Sequence, residues 1–184
     1  MESGMISMRY ARALFDYSLE NKAEDQVFAE MKKVAASFAN EQKLRVALDN
    51  PVLNTKDKLE LIKLAAGEKV SDVFVKFITL VLSQRREDHL QRMSLVYLDL
   101  YRKYKDISVG RLITAYPLNE NVVDKIKQLV QQKKSGTIEF VTEVDPNIDG
   151  GFVLYIDTYR LDASIATQLK NIKQQLLDKN KKIA

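Results

Sequence analysis

The chain offers little to catalysis. Its only histidine is His89. Arg86, Glu87 and Asp88 precede it, a charged setting that predicts a surface position with no nucleophile to activate. A metal centre needs clustered His, Cys or carboxylate ligands. There is no cysteine, and the carboxylates fall at surface spacing, with neither an H-E-x-x-H nor an EF-hand pattern. Gly150-Gly151 lacks the G-x-x-x-x-G-K-[ST] frame of a phosphate loop. It also enters a strand instead of opening a helix, so it is predicted to form a turn that needs positive φ. The expectation is a protein without an active site, a cofactor or a metal.

Composition fits a soluble globular protein. Of 184 residues, 46% are hydrophobic and 29% charged, too apolar for a disordered chain. That length suits one domain or two small ones. The most obvious apolar run, Phe77–Leu82, is far too short to span a bilayer. Arg9, Arg12 and Asp16 interrupt any secretory signal at the N-terminus. The chain therefore reads as cytosolic, reaching a membrane only through a partner. A net charge of +4 invites a nucleic-acid reading. Yet lysines alternate with acids along most of the chain, and only Lys179, Lys181 and Lys182 cluster.

The elements behind this pattern are of two kinds. The first hundred residues read as six helices: Met5–Asn21; Glu24–Phe38; Glu41–Leu48 capped by Asn40; a fourth capped by Asn54 and ending near Gly67; a fifth from Ser71 to about Ser83; and Glu87–Tyr104. Asn50-Pro51 is a stop, because the residue before proline avoids the α region. Asn54 with Asp57 is a capping signal. After Lys105 the pattern turns β-rich. Ile107–Tyr116 is a strand ending at Pro117, Asn119 caps a helix through Gln132, and Lys133–Gly136 is a turn. Thr137–Val144 is a strand with Ile138, Phe140 and Thr142 on one face. The Gly-Gly strand, a short return strand near Tyr159–Leu161 and a helix Ala163–Leu177, entered through a capping Ser164, complete a β-α-β-β-α unit. The fold class is α+β: a six-helix bundle over residues 1–105 and a small mixed domain over 106–184.

Two helices are more apolar than one core demands. On a wheel of roughly 100° per residue, Ile6, Tyr10, Ala11, Ala13, Leu14, Phe15, Tyr17, Ser18 and Leu19 of the first helix cover an arc of roughly 240°. In the fifth, Val70, Val73, Phe74, Val75, Phe77, Ile78, Leu80, Val81 and Leu82 cover roughly 220°. Packing on one core needs an arc of about 100°. Either both helices are central and covered by their neighbours, or part of each arc faces outward as a groove for a partner's amphipathic helix. The candidate partner-binding residues are Tyr10, Ala13, Leu14 and Tyr17 of the first helix with Val73, Phe74, Phe77 and Val81 of the fifth. Periodicity leaves open which of them face inward.

An ordered set of segments carries a family resemblance. Arg9-Tyr10-Ala11-Arg12-Ala13-Leu14-Phe15 resembles the R-Y-A-x-A-L-F opening of ATP synthase delta subunits and of the mitochondrial oligomycin-sensitivity-conferring protein. Asn50-Pro51 with the Lys56–Lys63 helix, Phe77-x-x-Leu80-Val81 with the arginine-containing turn after it, and Thr114-Ala115-Tyr116-Pro117-Leu118 resemble later parts of that family. So do Asp145-Pro146 through the Gly150-Gly151-Phe152-Val153 strand and Asp162-Ala163-Ser164 with Leu169 near the end. There are departures. Asp157-Thr158 stands where the family often has Gly-Asp, Ala163 where it often has Gly, and Gln168 where it often has Arg.

The resemblance implies a non-catalytic stator adaptor of a rotary ATP synthase, at the cytoplasmic face of a bacterial inner membrane. In the family the helical domain binds the N-terminal helices of the alpha subunits in a groove between the first and fifth helices. The C-terminal part binds the b subunits of the peripheral stalk, which resists the torque of the central shaft. No nucleic acid enters that role. The alternative is a basic soluble adaptor binding RNA. It would require a contiguous Lys/Arg face with interleaved aromatics, which the sequence does not show.

Overall fold

The structure is a computed structural model that describes residues 2–67, 69–117, 119–131, 137–156 and 158–181. The chain divides into two compact units, Met1–Lys105 and Asp106–Ala184. Among the described residues it is a mixed α+β protein with eight α-helices and a four-stranded sheet. The turn expected at Lys133–Gly136 lies outside the described residues.

The first unit holds α1 (Glu2–Glu20), α2 (Glu24–Asn40), α3 (Gln42–Asp49), α4 (Thr55–Ala66), α5 (Asp72–Ser83) and α6 (Leu90–Tyr104). Its caps follow from side-chain chemistry. Asn54 Oδ1 accepts the Asp57 amide at 2.9 Å, and Ser71 Oγ accepts the Phe74 amide at 3.2 Å. Each satisfies an amide that the helix leaves without a partner, a contribution of about 1 kcal/mol. Ser71 is itself held by the buried Glu30 carboxylate, to which it donates from its amide (2.5 Å) and its hydroxyl (2.8 Å).

Two expectations are corrected. Asn40 does not cap α3. The Glu41 amide still donates to Ser37 O at 2.9 Å, so α2 runs through Asn40 and the chain breaks at Glu41, which makes no side-chain cap. The sixth helix does not begin at Glu87 either. Glu87–His89 form a 3-10 turn, tied to α4 by a 2.7 Å ion pair between Glu87 and Lys58.

The helical core gathers α1, α2, α5 and α6 around Leu14, Val27, Met31, Phe74, Ile78 and Tyr97, all essentially buried. Tyr97 carries a hydroxyl into this core, shared with Ser18 Oγ at 3.0 Å and donated to Glu24 O at 3.3 Å. Burial pushes that hydroxyl up to about 12, so it stays protonated and able to donate. Where α6 ends, Tyr101 stacks on Phe28 with ring centroids 4.0 Å apart and donates to Asp25 at 2.7 Å. Lys105 lies 3.0 Å from the same carboxylate.

The second unit contains β1 (Ile107–Thr114), α7 (Glu120–Gln131), β2 (Thr137–Val144), β3 (Phe152–Ile156), β4 (Tyr159–Asp162) and α8 (Ile165–Lys181). Strand order is β2-β1-β3-β4. β1 and β2 are parallel from Ile107↔Thr137 to Thr114↔Val144. A parallel pair needs a crossover of a dozen or so residues, which α7 supplies. β3 and β4 join antiparallel, with Leu112 opposite Leu154. The core is Leu112, Leu154 and Ile156, with Val123 and Ile126 of α7 and Phe140 and Phe152 packed on it. Thr142, expected on the inner face with Ile138 and Phe140, is exposed.

β1 stops at Thr114, short of Tyr116, because Thr114 Oγ1 turns back to donate to Tyr116 O at 2.8 Å. Gly150 and Gly151 take φ of 139° and 80°, as the turn was expected to require. A Cβ on Gly151 would lie 2.3 Å from Ala163 O, so the close approach also demands glycine. Ser164 Oγ accepts the Thr167 amide at 3.4 Å, which starts the last helix at Ile165, two residues later than the pattern placed it.

Candidate functional site: an apolar groove between α1 and α5

The wide arc of α1 resolves into two surfaces. One flank, with Ala11, Phe15 and Ser18, is buried in the direction of α6. There the Phe15 ring meets Tyr97 edge-on at 5.8 Å and Tyr104 at 5.6 Å. The other flank carries Tyr10, Ala13, Leu14 and Tyr17, spaced i, i+3, i+4, i+7 so that they share one helix face. With Phe77 and Leu80 of α5 they line an open apolar cavity of about 490 Å³. Leu14 and Phe77 are its floor, only 2% and 6% exposed. Tyr10 and Tyr17 are half-buried and Ala13 is exposed. Leu80, at 50% exposure, forms the outer lip.

Of the eight residues named from the sequence, the structure thus brings Tyr10, Ala13, Leu14, Tyr17 and Phe77 together. Phe74 and Val81 do not line the groove. Both are fully buried, on the inner face of α5, and Val73 is 7% exposed outside the lining. The reason is the helical period: Phe74, Ile78 and Val81 follow i, i+4, i+7 along the face turned to the core, whereas Phe77 lies buried on the flank of that face and Leu80 points away from it. The sequence reading missed Leu80, Arg9 and Lys76 as lining residues. Lys76 was the available signal. It must reach water, so apolar residues next to it or one turn on stand at the boundary between core and surface.

The cations give the groove its electrostatic character. Lys76 Nζ approaches the Tyr17 hydroxyl at 3.4 Å, and Arg9 lies one turn before Ala13 on the same helix. Among the described residues no acid lines the cavity. Its wall is apolar and its charged lining residues, Arg9 and Lys76, are positive.

A larger cavity of about 660 Å³ lies where the α3–α4 turn meets the end of α5, and there the charged residues are of both signs: Asp49, Lys58, Arg85 and Glu87. His89, expected at the surface, keeps only 15% of its side chain exposed, with Nε2 3.5 Å from Asp88. It lies in the 3-10 turn, where its charged neighbours did not keep it at the surface. Among the described residues no group of three His, Cys, Asp or Glu side chains is placed to hold a metal ion. No described helix is long and apolar enough to cross a membrane.

Residues 6–176 match the profile of the ATP synthase delta (OSCP) subunit. The chain belongs to this family. It is 51% identical to the ATP synthase subunit delta of Phocaeicola vulgatus over 184 residues, covering all of both chains. It is 40% identical to that of Parabacteroides distasonis over 178 residues, covering 97% of this chain and 99% of the other. A chain of the Toxoplasma gondii mitochondrial ATP synthase hexamer shares the fold with a TM-score of 0.66 at 23% identity, covering 93% of this chain and 97% of that one. As a delta subunit the protein is a non-catalytic stator adaptor of the ATP synthase and a peripheral component of that membrane-bound complex.

Proposed function

We propose that residues 1–105 act as a six-helix bundle that seats the N-terminal helix of an ATP synthase alpha subunit in the α1–α5 groove. Residues 106–184 then hold the b subunits of the peripheral stalk, at the cytoplasmic face of a bacterial inner membrane. The observation that carries this reading is the apolar groove itself, walled by Tyr10, Ala13, Leu14, Tyr17, Phe77 and Leu80. An apolar groove of this kind suits a helix that inserts side chains at i, i+3/i+4 and i+7. Burial of apolar area is a suitable basis for a static joint, because salt screens exposed charges and leaves buried apolar contact largely untouched.

Titration of the full chain with a peptide of the alpha-subunit N-terminal segment tests the proposal. Tyr10→Ala or Leu80→Ala should each weaken binding by about 1–3 kcal/mol. Raising salt should weaken it only modestly. An affinity unchanged by both substitutions, or one that collapses at high salt, overturns the reading. Co-purification with b subunits tests the second half, and loss of that association on deleting residues 106–184 is the expected result.

A further inference from the structure

Among the described residues, the charged side chains that line the groove are of one sign, and they say more about its occupant than the apolar wall does. Arg9 and Lys76 are the charged residues of the lining, both exposed. Arg9 makes no ion pair with any described residue, and Lys76 meets only the neutral Tyr17 hydroxyl. The two stand near opposite ends of the groove. Lys76 is beside Tyr17, and Arg9 lies two turns earlier on α1, about 12 Å away at roughly 1.5 Å per residue.

Resting on the groove reading above, we propose that the groove selects an amphipathic helix whose apolar stripe is bordered by acidic residues about two turns apart, one facing Arg9 and one facing Lys76. Arg9 and Lys76 are then specificity residues that fix the register of the bound helix. Rim charges of this kind act mainly on association rate and on the choice of partner. Charge complementarity also argues against self-occupancy. The chain's own α8 carries an exposed apolar stripe, but between Asp162 and Asp178 it has no acid, and it presents Lys170 and Lys173. Like charges would meet if it entered the groove.

The probes are three synthetic peptides with the apolar face of the alpha-subunit N-terminal segment. At two border positions two turns apart they carry Glu, Gln or Lys. At low salt the full chain should bind them in the order Glu, Gln, Lys, with steps of about twofold to fivefold. The differences should vanish at about 0.5 M salt. The Arg9→Glu/Lys76→Glu variant, altered only at exposed positions, should reverse the order while keeping its melting temperature. Equal affinity for the Glu and Lys peptides, with binding still lost in Leu80→Ala, overturns the charge inference and leaves the groove reading intact. Binding that is insensitive to Leu80→Ala in all three peptides overturns the groove reading itself. An unchanged order in the double variant, tighter binding of a peptide of residues 163–181, or a dimer in sedimentation that the Glu peptide dissociates overturns the proposal in favour of another site or of self-occupancy.

Discussion

The two units bury their apolar residues differently. In the helical unit α5 divides its excess between two faces: Phe74, Ile78 and Val81 are fully buried, while Phe77 and Leu80 wall the groove. In the mixed unit the core is thin, built on Leu112, Leu154 and Ile156. Its last helix leaves Ile165, Leu169 and Ile172 at 47%, 60% and 53% exposure. These three follow i, i+4, i+7, the same spacing that makes a stripe on α1. An identical period therefore yields core, groove wall or exposed stripe, according to what packs opposite. The helical unit surrounds its stripes with neighbours on most sides and leaves the α1–α5 groove open between them. The sheet covers one face with α7 and leaves the stripe of α8 open.

Substitutions can break this contrast or sharpen it. The largest effect should come from Phe74→Ala, which opens a cavity among fully buried neighbours and should destabilise the helical unit by about 3–5 kcal/mol. Denaturant unfolding of the 1–105 fragment would measure it, and that fragment should itself melt cooperatively. A loss below about 1 kcal/mol would mean that Phe74 is not the core residue its position implies. Leu154→Ala should cost the mixed unit about 2–4 kcal/mol, read as earlier loss of amide protection in β1 and β3 than in α6. Leu80→Ala should change folding stability by under about 0.5 kcal/mol although it is as apolar as its buried neighbours. If it destabilises like Phe74→Ala, the two faces of α5 are not distinct.

Acid should separate the units only weakly. Asp25 is held below the usual aspartate range, first by the Tyr101 hydroxyl and then by Lys105. Asp162 is held low chiefly by the hydroxyl and amide of Ser164. A carboxyl whose pKa is lowered by folding stabilises above its unfolded value, and that contribution is lost as pH falls through the folded one. Lys105 is raised, mainly by its hydrogen bond to Asp25, so its share persists until pH rises through the raised value. The Asp25–Lys105 pair should thus hold across the whole neutral range. Asp25→Asn should flatten the acid limb of the helical unit's pH–stability curve, and Asp162→Asn that of the mixed unit. An acid limb unchanged by Asp25→Asn would show the exposed pair to be fully screened. The smallest effect expected is that of His89→Gln on function: ATP-driven proton pumping by the assembled complex should be unchanged.

Much of the local structure was legible in the chain. Asn54 and Ser71 cap the helices they were expected to cap, because a side-chain acceptor next to free helix amides acts within one turn. The Gly-Gly turn took positive φ for an equally local reason. Asn40 misled, since a capping residue is not used when the preceding helix can continue past it. His89 misled because charged neighbours do not report whether the chain folds over a side chain.

The sequence by itself determined which residues are apolar, at what period, and in which ordered motifs. That was enough for the mixed α+β class and, through the motifs, for the family and its non-catalytic role; it also marked α1 and α5 as more apolar than one core demands. Tertiary structure alone decided that Phe74 and Val81 face the core while Leu80, Arg9 and Lys76 border the groove. Periodicity places residues on faces of one helix, but burial depends on the neighbours that pack against each face. Those neighbours come from parts of the chain far away in sequence, as α6 does for α1.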